Sequence, residues 1–216
     1  MEEEVGSVNY GYIPSVMDGS EYQFKLLRGF EVPSRYSYQK YLPEVINQKD
    51  RPICVPCSIS AFINWNKNLE DGDNKLDHKV DLEEIYASRT HAGDDGMSFK
   101  DAFRYLRHNG VKTDFGNYKI ARYAQIGSIL QLKQALVVNG PCVAALPVYD
   151  GYRSDFWRKL MGDTFLGGHA VSVAGYSEKG FLIRNSWGKG YGDKGYSILP
   201  YSEFEQFREI WTIIDK

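Results

Sequence analysis

Only three of the 216 residues are cysteines, and two of these, Cys54 and Cys57, stand three positions apart. The chain therefore lacks the even, spread cysteines of a disulfide-stapled scaffold. Long hydrophobic runs are missing too: no stretch approaches the roughly 18 apolar residues of a membrane-crossing helix. Neither sign of charge dominates. Lys and Arg number 26 against 28 Asp and Glu, a net charge of −2, and no run of basic residues offers a footprint for nucleic acid or an anionic membrane. The opening Met-Glu-Glu-Glu-Val is acidic, where a secretory leader needs a basic start and an apolar core. These absences predict a cytoplasmic monomer with reduced thiols and no nucleic-acid or membrane partner.

What is present is an ordinary globular composition, 43% hydrophobic and 25% charged, with sixteen tyrosines and eleven phenylalanines that favour strands and broad contact surfaces. The length allows one large domain or two small ones sharing a cleft. Residues 1–47 read as an extended segment packed on the body, with prolines at 14, 33 and 43, and with 41–46 as a short strand or a buried crossing. Residues 48–113 read as helical. The patterns predict helices over 55–66, 80–89 and 98–108, the last with Ser98 as N-cap and Gly110 as its stop. Residues 114–216 change texture: one helix over 128–138, then strand-like runs at 141–148, 170–176, 180–185 and 195–199 between glycine-rich turns. A helical half followed by a β half predicts an α+β fold of two lobes with a cleft between them. The polar stretch 68–77 has its glycine and carboxylates at the wrong spacing for a calcium loop and reads as solvated.

The stretch Gln48-Lys-Asp-Arg-Pro-Ile-Cys54-Val-Pro-Cys57-Ser-Ile-Ser-Ala-Phe62 passes from a polar loop into a helix. A thiol at a helix start meets unsatisfied N–H groups and the positive end of the dipole, which favour the reactive thiolate. Val55, preceding Pro56, is biased away from helical angles, so an irregular first turn is expected.

Of the four histidines, His78, His91 and His108 sit in polar surroundings and read as surface residues. His169 opens an apolar strand behind Gly167 and Gly168, a placement at a cleft rim. An imidazole base needs its second nitrogen fixed by a hydrogen bond. A turn over 177–180 would fold the chain back so that Asn185 supplies it, with Trp187 screening the bond. Thiol, imidazole and amide then make a Cys-His-Asn arrangement for nucleophilic catalysis.

His169-Ala-Val, then Gly-Tyr, then Asn185-Ser-Trp-Gly-x-Gly-Tyr-Gly-x-x-Gly-Tyr resembles the histidine and asparagine motifs of the papain-like cysteine peptidases. Gly11-Tyr-Ile-Pro, Leu42-Pro-x-Val-x-x-Gln48, Asp95-Gly-Met-Ser98 and Gly110-Val are similar to the compact members of that family found in bacteria and viruses. The resemblance implies a papain-like fold with a helical N-terminal lobe and an antiparallel, barrel-like C-terminal lobe. It implies peptide-bond hydrolysis through a thioester, a protein or peptide substrate, and no metal or organic cofactor. Gln48 and the Cys54 N–H would hold the oxyanion; Asp95, Gly96, Gly168 and Trp187 would line the substrate cleft. Counting six residues from Gln48 selects Cys54 as nucleophile, whereas matching the cysteine pair selects Cys57. Two rival readings are a thiol–disulfide oxidoreductase, from the Cys-x-Pro-Cys pattern, and a catalytically silent module whose cleft is blocked by residues 1–40.

Overall fold

The computed structural model describes residues 10–72, 75–90, 96–151 and 153–215. Its strands are β1 (Gly11–Tyr12), β2 (Tyr36–Ser37), β3 (Gly96–Met97), β4 (Val111–Thr113), β5 (Gly116–Tyr118), β6 (Arg122–Gln125), β7 (Cys142–Tyr149), β8 (Phe165–Ser177), β9 (Gly180–Arg184), β10 (Tyr196–Leu199) and β11 (Glu209–Ile214). Its α-helices are α1 (Cys54–Glu70), α2 (Leu82–Ala87), α3 (Phe99–His108) and α4 (Ile129–Asn139). None of these helices is long and apolar enough to cross a membrane.

The Val55–Pro56 step does not disturb the helix. Pro56 is the third residue of α1, where its missing N–H has no intrahelical acceptor to lose, and the Cys57 N–H donates to the Ile53 carbonyl at 3.0 Å to start the ladder. Ile59, Phe62 and Ile63 are buried, and so are Ser58, Ser60 and Asn64, so the helix is enclosed on more than one side. The Ser98 side chain caps α3 by accepting from the Asp101 N–H at 3.1 Å, and Gly110, at φ +85°, ends that segment. Ser128 caps α4 in the same way through the Gln131 N–H at 3.2 Å.

The main sheet runs β10-β9-β8-β7-β11-β6 with antiparallel neighbours. β8 is its hub and sorts side chains by alternation. Ala170 and Ala174 join the core formed with α1, α2 and α3, whereas Val171 and Val173 join the core formed with α4. The α1 side of β8 carries small residues, and there the Ser172 hydroxyl donates to the Ser58 carbonyl at 2.9 Å, so helix and sheet lie close. Helices α1 to α3 on one side and a curled sheet on the other make the expected α+β arrangement.

Three features depart from the sequence reading. Residues 41–46 form no strand; Leu42 and Val45 are buried and the segment is the crossing alternative. β6, β11 and the β4–β5 hairpin were not anticipated. His78 lies outside any helix and is tucked in, with its side chain 10% exposed, 3.5 Å from Asp114 and edge-on to Phe115.

β1 is the feature with most bearing on function. It runs parallel to β3, pairing Gly11 with Gly96 and Tyr12 with Met97, and antiparallel to β8, pairing Gly11 with His169 and Tyr12 with Gly168. The N-terminal segment thus threads the seam between the helical side and the sheet as a strap.

Candidate active site

His169 and Asn185 are brought together by the β8–β9 hairpin. Ser172 faces Arg184 in the ladder, and a bulge between Val173 and Gly175 adjusts the register before the turn. Asn185, just past the end of β9, then reaches back so that its Oδ1 lies 2.7 Å from His169 Nε2. An amide oxygen can only accept, so the Nε2 proton donates to it and Nδ1 is left as the basic nitrogen. Oδ1 also accepts from the Ser186 N–H at 2.7 Å, which fixes the carboxamide. The Trp187 ring stacks on His169 with centroids 4.7 Å apart and shields the pair, as expected. His169 is not at an open rim: with Tyr10, Phe156 and Trp187 around it, none of its surface is exposed.

Cys54 opens α1 and faces the same strand. Backbone N–H groups of Cys54, Val55 and Ala170, the residue after His169, act on its sulfur. The thiol donates to the Tyr10 carbonyl. The ring of Tyr10 also packs edge-on against His169 at 6.2 Å, so one strap residue touches both groups. Cys57, also buried, lies beside Ser58, Ala170 and Asn185 at a cavity of about 10 Å³, room for no more than one water. All three cysteines are free and buried.

Gln48 is held against the asparagine segment rather than loose in the cleft. Its N–H donates to the Ser186 carbonyl at 2.9 Å, its Oε1 accepts from the Ser186 hydroxyl at 2.6 Å, and its Nε2 donates to the Arg51 carbonyl at 3.0 Å. One Nε2 proton remains for a further acceptor. Ser186 therefore ties the Gln48 loop to the histidine–asparagine pair, a role invisible in the sequence because it needs contact across 138 positions.

Burial governs the charges. It pushes the Cys54 thiol up to about 12 against the pull of the three N–H groups, and pushes His169 down to about 4 against its bond to Asn185. With the strap in place the pair is a neutral thiol and a neutral imidazole, in contrast to the thiolate favoured by the helix start alone.

Gly96 and Gly168 flank the strap, and their lack of a side chain is used: a Cβ on Gly168 would come within 2.4 Å of the Tyr12 ring, and one on Gly96 within 2.8 Å of Ile13. Asp95 and His91 lie outside the described residues. His108 is exposed at the end of α3.

Comparison with known proteins places this geometry in a lineage. The model of the papain family cysteine proteases matches residues 86–206, more than half of the chain, a span that includes His169 and Asn185 and stops short of Cys54. The chain belongs to the papain family of cysteine proteases. Among curated relatives it is 26% identical over 193 residues to probable cysteine proteinase 224L of Invertebrate iridescent virus 6, covering 70% of this chain and 42% of that protein. It is 24% identical over 208 residues to cathepsin B-like CP1 of Giardia intestinalis, covering 76% of this chain and 67% of that one. The chain thus spans less than half of the viral relative's length. Among solved structures, xylellain, a cysteine protease from Xylella fastidiosa, superposes with a TM-score of 0.83 at 23% identity over 97% of both chains. The procathepsin B S9 of Trypanosoma congolense superposes at 0.80 with 16% identity, over 97% of this chain and 88% of that one. Both are likenesses of fold.

Within this papain-family site, Tyr10, Tyr12 and Glu209 were missed by sequence reasoning. Tyr12 turns its hydroxyl onto Glu209, which also accepts from the Ser15 N–H at 3.0 Å and from Trp211 Nε1 at 2.6 Å. Glu209 is 4% exposed, and it lines a mainly apolar cavity of about 580 Å³ together with Pro14, Met17, Pro147, Phe165 and Arg208. A carboxylate in an apolar β run, Glu209-Ile-Trp-Thr-Ile-Ile, was the available signal, because a buried acid needs a partner.

Proposed function

We propose that this chain is a cysteine peptidase that cleaves peptide bonds with Cys54 as nucleophile, His169 as acid–base and Asn185 as its positioning partner, and that the conformation described is its resting form. The observation that carries the reading is that Tyr10 covers both groups, its carbonyl accepting from the Cys54 thiol and its ring packed edge-on against His169. A backbone carbonyl sits at the thiol, yet it presents its oxygen to the Sγ–H, not its carbon to a thiolate, so it occupies the site without being attacked.

With the strap out, water and substrate reach the pair, the thiol proton passes to His169 Nδ1, and Sγ attacks the carbonyl carbon of a peptide. The oxyanion takes hydrogen bonds from the Cys54 N–H and the free Gln48 Nε2 proton, and such a donor contributes on the order of 3 kcal/mol. His169 gives its proton to the leaving amine and then deprotonates the water that hydrolyses the thioester. The edges of β3 and β8 that bond β1 would receive an extended protein or peptide substrate by strand addition, with Gly96 and Gly168 allowing its close approach. The chemistry needs no metal or organic cofactor, and we read the enzyme as a monomer. Free thiols suit a reducing compartment such as the cytoplasm.

The test is labelling with a peptidyl epoxysuccinate, mapped by mass spectrometry, in the wild type and in Cys54→Ala and Cys57→Ala variants. An adduct on Cys54, with activity surviving in Cys57→Ala, is expected. An adduct on Cys57 would overturn the assignment. A Cys54–Cys57 disulfide that turns over with dithiothreitol would point to the oxidoreductase, and no adduct even after removal of the strap would point to a silent module.

A further inference from the structure

Away from the cleft, α3, β6 and the strap enclose a second cavity of about 170 Å³. That is more than ten times the roughly 10–15 Å³ one water needs, so it admits a ligand of several atoms. Arg104 and Arg107, one turn apart on α3, line it with Arg122 from the start of β6, with Tyr22 and Tyr123, and with Glu21. Lys100 reaches it from the same helix but is already neutralised. Its ammonium meets Glu21 at 2.5 Å, Asp18 at 3.4 Å and the Val16 carbonyl at 2.9 Å.

The three arginines have no such partner. Among the described residues, none makes an ion pair or a side-chain hydrogen bond with a carboxylate. In a chain of net charge −2, three exposed arginines line one cavity whose single carboxylate, Glu21, is committed to Lys100. Their mutual repulsion is relieved by an anion. Guanidinium forks match phosphate oxygens two at a time. A diphosphate group carries about three negative charges at neutral pH, one for each arginine.

We propose that this cavity binds a small molecule bearing a diphosphate group, held by Arg104, Arg107 and Arg122. Folding alone creates the site: the three residues are scattered over nineteen positions and form no basic run in the sequence. It stands independently of the peptidase reading.

The experiment is isothermal titration of the full chain with inorganic diphosphate and, separately, with ADP, at fixed ionic strength. The same titrations are run on Arg104→Gln, Arg107→Gln and Arg122→Gln, each checked by circular dichroism. Saturable binding to the wild type is expected, weakened about tenfold by each substitution, the loss of a charge-assisted hydrogen bond. Arginine-to-lysine variants should lose part of it, because the charge stays while the fork goes. Tighter binding of ADP than of inorganic diphosphate would show that the site also takes the nucleoside part; equal binding would assign it to diphosphate alone. No saturable heat with either ligand, or equal binding by all three glutamine variants, overturns the proposal.

Discussion

The Cys54 thiol donates to the Tyr10 carbonyl, and the backbone that makes this possible turns at Gly11. Gly11 has φ +70°, and a Cβ there would lie 2.4 Å from the carbonyl carbon and oxygen of Pro52. Substitution by alanine adds both a clash with rigid backbone and a left-handed strain. Gly11→Ala is therefore expected to lift the strap and raise the alkylation rate of Cys54 by about tenfold or more, the equivalent of at least 1.4 kcal/mol. Cys142, buried in β7, is the internal control. An unchanged Cys54 rate would mean that the strap does not gate the thiol.

The closed form should be most stable in a window set by the two buried groups. His169 is held down near 4, so below its ordinary value of 6.5 an open state binds a proton that the closed state refuses. Closure is accordingly lost as pH falls from 6.5 toward 4. Cys54 is held up near 12, so above its ordinary value near 9 the open state releases a proton that the closed state keeps, and closure weakens again. Hydrogen exchange at the Tyr12 amide, corrected for the intrinsic pH dependence, reads this directly. Protection should be greatest between about 6.5 and 9, and a flat profile across pH 4–7 would contradict the coupling to His169.

Asn185→Ala removes the acceptor that fixes the His169 proton on Nε2, without changing the thiol or the cleft walls. A misdirected base costs about 10²-fold in rate. In an activated form, kcat on a peptide substrate should fall by that order with little change in KM. A rise in KM with kcat preserved would assign Asn185 to substrate binding instead.

The parts of this molecule that were legible in the sequence share a short range. The His169–Asn185 pair spans one hairpin, so a strand pattern and a turn sufficed to bring the two together. Ser98 announced its helix because capping is decided within four residues. The strap was not legible as such: β1 is two residues long, carries no period, and takes its meaning from partners at 96–97 and 168–169. Ser186 shows the same limit on a smaller scale. It read as one letter of a motif, and its tie to Gln48 exists only once residues 46–48 lie against 186–188. Pro56 misled in the opposite direction, since the steric bias on Val55 is outweighed by burial of that residue in the core.

Glu209 ties the strap to the pocket that a substrate would use. It receives the Tyr12 hydroxyl, the Ser15 N–H and the Trp211 indole, and two of these three donors leave with the strap. A nearly buried carboxylate stripped of donors is costly until another arrives, at roughly 1–3 kcal/mol for each unsatisfied bond. Two outcomes are expected. Tyr12→Phe should loosen the strap alone, raising Cys54 alkylation by about tenfold while leaving the choice of peptide unchanged. Glu209→Gln should alter that choice. In a peptide library cleaved by the Gly11→Ala form, residues with a cationic or phenolic donor should be preferred at one subsite, and the preference should drop on adding Glu209→Gln, through KM more than kcat. A library profile indifferent to Glu209 would leave the carboxylate as a strap anchor only.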